Sequence, residues 1–96
     1  MDLKLKGGKA LITGASKGIG RAIAERLAAE GCDVAICARN QAEIDEAVAS
    51  LSAKGVKAIG ASVDVGNGDA LKAWIHSSAE ALGGIDCMVS NVSGGN

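Results

Sequence analysis

Thr13-Gly14-Ala15-Ser16-Lys17-Gly18-Ile19-Gly20 is the stretch that decides how this chain folds. Before it runs Lys9–Thr13 (KALIT), short and apolar; after Gly18, Ile19, Ile23, Leu27 and Ala28 recur at helical spacing. The order predicts strand, glycine turn, helix. The glycines stand as GxxxGxG: Gly14 permits a tight turn off the strand, Gly18 permits close approach to the backbone, and Gly20 lets the helix settle on a sheet. This differs from the spacing GxGxxG, and with no Gly-Lys-Ser/Thr it is not a Walker A loop.

The alternation continues beyond the turn. Gly31 ends the first helix, and Asp33–Ala38 (DVAICA) reads as a buried strand closed by Arg39 and Asn40. Residues 41–54 carry Ile44, Val48 and Leu51 at helical spacing, with acids toward the start, and stop at Gly55. A third apolar strand is predicted over 56–65, a third helix over 69–82 with Leu71, Trp74, Ile75 and Leu82, and a fourth strand over 85–90 (IDCMVS). Strands that alternate with helices and are apolar on both faces imply a parallel sheet covered on both sides through right-handed crossovers. The expectation is one α/β domain over residues 1–96, a Rossmann-type doubly wound parallel sheet, truncated, with strand order 3-2-1-4. The topological switch point then falls between the first and fourth strands, at their carboxyl ends, and a ligand crevice belongs there.

Composition narrows the function classes. Of 96 residues 48% are hydrophobic and one is aromatic, so the core must be aliphatic and closely packed. The formal net charge of −1, with acids and bases interspersed, argues against a nucleic-acid or membrane-surface partner held by bulk charge. Neither a secretory h-region nor a membrane-spanning apolar run is present in the sequence, which predicts a soluble, cytoplasmic protein. Cys32, Cys37 and Cys87 form no CxxC pair and read as small buried hydrophobes, the first two on opposite faces of one strand. His76, the one histidine, reads as a surface helix residue, with no metal site around it.

The start of a helix after a glycine turn offers free N–H groups to an anion, which suits a pyrophosphate. About 20 residues past such glycines an acid normally accepts from the ribose 2′-hydroxyl of NAD. Here that place holds Arg39, whose guanidinium can hold a 2′-phosphate bidentately, and Lys17 adds a second cation. The expected cofactor is NADP(H) in preference to NAD(H).

TGASKGIG resembles the cofactor motif of the short-chain dehydrogenase/reductase family, and the likeness runs the length of the chain. By that resemblance Gly14, Ser16, Lys17, Gly18, Ile19 and Gly20 form the cofactor turn. Asp64-Val65 resembles the pair whose Asp faces the adenine amino group, and Asn91 matches the asparagine after the fourth strand. The family usually has Asn-Asn-Ala-Gly there, so Ser90, Val92 and Ser93 depart from it. The family's chemistry rests on a Tyr-x-x-x-Lys pair and a serine beyond the fourth strand. This sequence has no tyrosine, and its last lysine is Lys72. The resemblance therefore implies the nucleotide-binding part of a carbonyl or alcohol oxidoreductase, with no catalytic residues of its own; the alternative is a catalytically silent nucleotide-binding or self-associating truncated Rossmann module. A fourth strand left at the sheet edge predicts a homodimer or larger assembly through that edge or the bare face beside it.

Overall fold

The computed structural model describes residues 7–15 and 18–90. Seven elements follow one another: β1 (Lys9–Thr13), α1 (Gly18–Ala29), β2 (Asp33–Ala38), α2 (Gln41–Ser52), β3 (Ala58–Ser62), α3 (Gly68–Leu82) and β4 (Cys87–Ser90). The strands form one sheet in the order β3-β2-β1-β4, and every neighbouring pair is parallel. The predicted 3-2-1-4 order is the observed one.

Period-two alternation divides the apolar residues of β1 and β2 between two layers. Ala10, Ile12, Val34, Ile36 and Ala38 face α1 and α2, whereas Leu11, Ala35 and Cys37 face Trp74 and Leu82 of α3. Each helix presents a stripe suited to its layer. Gly20, Ala24 and Ala28 give α1 a small-residue face that approaches the sheet closely; Ile44, Ala47 and Leu51 fill the α2 contact; Trp74, Ser78 and Leu82 line α3 at four-residue spacing. Complete burial of side chains such as Leu11, Ile12 and Ile36 contributes roughly 1.5–3 kcal/mol each.

Polar side chains fix register and helix ends. At the amino edge of the sheet, Asp33 Oδ1 accepts the Lys57 backbone N–H at 2.9 Å and Asp86 Oδ2 accepts that of Lys9 at 2.8 Å, so an aspartate latches each neighbouring strand. Asn40 and Asn67 cap α2 and α3, accepting from Glu43 N–H at 3.0 Å and Ala70 N–H at 3.1 Å. Between α1 and α2, Glu25 Oε2 accepts from Arg21 Nε at 2.7 Å and Ser50 Oγ at 2.8 Å, with Lys54 Nζ 3.4 Å from Oε1. The Arg21 hydrogen bond, assisted by Ser50 and Lys54, holds the Glu25 carboxyl below its ordinary range against the opposing effect of burial.

The structure trims several sequence boundaries. The β2–β3 ladder runs only from Val34↔Ala58 to Ala38↔Ser62, so β3 is shorter than the expected 56–65. The fourth strand starts where Cys87 meets Ala10, which leaves Ile85 outside it. After Ser52 the bonds tighten, Lys54 N–H to Leu51 O and Gly55 N–H to Ser52 O, and α2 stops short of residue 54. Cys32 lies just before β2, though it and Cys37 do face opposite layers. Cys87 corrects the sequence reading: it is exposed, because among the described residues β4 pairs only with β1 and the helices pack on β1, β2 and β3.

Candidate functional site at the carboxyl edge of the sheet

The register brings Thr13, Ala38, Ser62 and Ser90 to one edge of the sheet, where their strands end together. The connection from β1 to β2 crosses the α1 layer, and the chain reaches β4 from the α3 layer. The switch point of the sheet therefore falls between β1 and β4 at this edge, beside Gly14.

Gly14 leaves β1 with φ 64° and donates its N–H to the Cys37 carbonyl at 2.8 Å, while Ala15 tucks into the α1 layer. Gly18 opens α1 with φ 68°, a conformation unfavourable for residues with a Cβ, and a Cβ there would meet no atom within 4 Å. Ile19, 72% exposed, stands beside that open space, and Gly20 is buried against the sheet. Ser16, Lys17 and Asn91 lie outside the described residues.

Arg39 and Asp64, 25 positions apart in sequence, meet at the same edge. Arg39 is the first residue beyond β2; its side chain is 83% exposed, and Nη2 lies 3.8 Å from Asp64 Oδ1. Asp64 Oδ1 also accepts the Gly66 N–H at 2.9 Å. Ser62, which no sequence motif singles out, donates its hydroxyl to the Arg39 carbonyl at 3.0 Å. Val65 turns inward and packs partly buried on the α3 layer. Cys37, beneath the glycine turn, is no nucleophile at neutral pH, since burial pushes its thiol up to about 11. Among the described residues no His, Cys, Asp and Glu cluster could hold a metal, and His76 lies exposed on α3, 3.8 Å from Glu80.

A cavity of about 250 Å3 opens elsewhere, between β3 and α3, lined by Ile59, Ala61, Trp74 and Ser78 among others. None of the described glycine-turn residues lines it.

The short chain dehydrogenase family model matches residues 8–96. The chain belongs to that family. It is 37% identical over 90 residues to the short-chain dehydrogenase/reductase SDRA of Arabidopsis thaliana, a match that takes in 94% of this chain and 35% of that protein. Tropinone reductase-like 3 of Erythroxylum coca is 39% identical over the same length, again with 94% and 35% covered. Among solved structures, an NAD+-bound xylitol dehydrogenase superposes with a TM-score of 0.85 at 36% identity, over 90% of this chain and 33% of that one. The chain thus spans about a third of the length of these relatives.

Membership implies a nicotinamide dinucleotide, and the residues in place suit one. The left-handed glycines and the open volume at Gly18 leave room for phosphate oxygens against the backbone at the start of α1, and Ile19 offers an apolar surface beside them. No helix of the described residues is long and apolar enough to cross a membrane.

Proposed function

We propose that this chain binds the adenosine and pyrophosphate portions of NADP(H) for an oxidoreductase acting on a carbonyl or alcohol. The observation that carries the NADP(H) reading is Arg39: an exposed guanidinium, 3.8 Å from the Asp64 carboxylate, projects where an NAD-selective site would place a carboxylate. A 2′-phosphate would be repelled by an acid there and attracted by Arg39, with Lys17 adding to the attraction. The NAD+ in xylitol dehydrogenase belongs to that protein, so the preference proposed here rests on this chain's own side chains.

In this reading Gly14, Ser16, Gly18, Ile19 and Gly20 hold the pyrophosphate at the start of α1. Asp64 and Val65 border the adenine, and Asn91, next in sequence after β4, contributes as the family asparagine it matches. When bound, the cofactor supplies hydride chemistry. The chain's own part is to bind and orient it. The sequence has no tyrosine to act as the family's proton donor, and neither buried thiol substitutes for one, so binding without turnover is the expected behaviour of these 96 residues alone. The unpaired cysteines suit a reducing compartment such as the cytoplasm.

Calorimetric titration with NADPH and NADH in parallel tests the proposal, with Arg39→Asp as the control. Tighter binding of NADPH that the variant loses or reverses supports it; equal affinities, or a preference that survives the substitution, refute it.

A specific observation also favours self-association. Among the described residues β4 pairs with β1 alone, its Met88 is 43% exposed and the neighbouring Ile85 38%, and no proline or charge interrupts Cys87–Ser90. A second copy that covers this edge would give a homodimer. Light scattering that reports a monomer at about 100 μM would exclude it at ordinary working concentrations.

A further inference from the structure

We propose that Ser62 is a positioning residue for recognition of the 2′-phosphate, acting through the backbone of Arg39; the inference rests on the NADP(H) reading above. Arg39 occupies the gap between two regular elements. The β2–β3 ladder ends at Ala38↔Ser62, and α2 does not begin until Gln41. A peptide in that gap would ordinarily be free to rotate, and with it the direction in which an exposed arginine leaves the chain.

Here three successive residues are tied down. The Ala38 carbonyl accepts from Val63 N–H at 2.9 Å. The Arg39 carbonyl accepts from Ser62 Oγ at 3.0 Å. Asn40 is committed twice to α2, its side chain accepting from Glu43 N–H and its carbonyl from Ile44 N–H, both at 3.0 Å. Ser62 makes the middle link, and it does so from the last position of β3, where its hydroxyl extends the pairing one residue past the end of the backbone ladder. Only a side chain with a hydroxyl on Cβ reaches that carbonyl, so threonine substitutes for serine and alanine or valine does not.

At the other end of the side chain, the guanidinium lies 3.8 Å from Asp64, which is itself held by Gly66 N–H. Arginine otherwise loses considerable rotamer freedom when it engages a ligand. A backbone already fixed in the productive direction leaves less to be lost when a dianionic phosphate binds, whereas the adenine and 5′-phosphate contacts do not pass through Arg39. Ser62 therefore affects discrimination and not nucleotide binding in general.

The test compares 2′,5′-ADP with 5′-AMP, the halves of the two cofactors that differ only in the 2′-phosphate, by titration into the full chain and its Ser62→Ala, Ser62→Val, Ser62→Thr and Arg39→Ala variants. The expected result for Ser62→Ala and Ser62→Val is a preference for 2′,5′-ADP reduced about three- to tenfold, with 5′-AMP affinity unchanged, and recovery in Ser62→Thr. Equal losses for both nucleotides, or an undiminished preference in the alanine and valine variants, overturn the role of Ser62. If the unaltered chain shows no preference, or Arg39→Ala retains it, the NADP(H) reading has failed and the Ser62 proposal falls with it. If Arg39→Ala abolishes the preference and Ser62→Ala does not, only the Ser62 proposal has failed.

Discussion

Replacement of Gly60 by alanine should destabilise the protein, although alanine is ordinarily the better strand residue. Gly60 lies mid-way along β3 on the face that carries α2. A Cβ built there would stand 2.5 Å from Ile44 Cγ2, 2.8 Å from Val48 Cγ2 and 3.3 Å from Ile36 Cγ1. Ile44 and Ile36 are fully buried, so neither has space into which to retreat, and α2 would have to lift from the sheet. Overpacking of this kind costs about 1–3 kcal/mol. Against it, loss of the conformational freedom of glycine in the unfolded chain contributes about 0.4–1 kcal/mol in favour of the variant. The net expectation is a loss of about 1.5 kcal/mol, which in a domain of this size lowers the melting midpoint by roughly 6–12 °C. Thermal and urea unfolding followed by far-ultraviolet circular dichroism would measure it. The Val48→Ala background supplies the internal check: removal of Cγ2 relieves one of the three contacts, so the double variant should be less destabilised than the sum of the single ones. A Gly60→Ala protein that melts at or above the parent, or strict additivity with Val48→Ala, would refute the argument that α2 sits on β3 at glycine distance. The same approach of α2 to β3 sets where Arg39 lies relative to Ser62 and Asp64, so the variant should also weaken nucleotide discrimination.

Thiol labelling at pH 8 should show one fast site, Cys87, and two protected ones, since Cys32 and Cys37 are buried and burial raises the pKa of both thiols, Cys37 to about 11; early modification of Cys37, located by peptide mass mapping, would contradict the packing described. Glu25→Gln should lower the melting midpoint at pH 7, and the difference from the parent should start to shrink near the ordinary Glu value of about 4.3 and disappear only below the lowered folded-state value. The sign follows from the lowered carboxyl pKa: its stabilisation is present above the unfolded-state value and is lost as pH drops through the folded one. A difference that stays constant from pH 7 to pH 3 would show that the Arg21–Glu25–Ser50 bridge is not its source.

The sequence by itself determined the elements, their order and the edge at which the switch point of the sheet falls. Lys9–Thr13 and Asp33–Ala38 were legible residue for residue, because each is an apolar run bounded by glycine or charge. The glycine turn was legible because Gly14 and Gly18 do need backbone angles that other residues resist. These signals are local: periodicity and conformational preference act over a few neighbours, and chain handedness then leaves few topologies to choose from.

What tertiary structure decided depends on register between segments far apart in the chain. Cys87 looked buried because it is small and apolar in an apolar run; its exposure follows from the place of β4 at the edge of the described sheet, which the expected strand order implied but the local pattern around Cys87 does not carry. Ser62 carried no motif, and its hydrogen bond to Arg39 exists because β3 ends one residue short of that carbonyl. The Arg39–Asp64 pair, the Glu25 bridge between helices and the aspartate latches at the opposite edge share that origin. Polar partners are chosen by distances of a few ångströms, which shift when a strand slips by one residue, whereas the apolar pattern that specifies the fold is coarse enough to be read from composition and spacing.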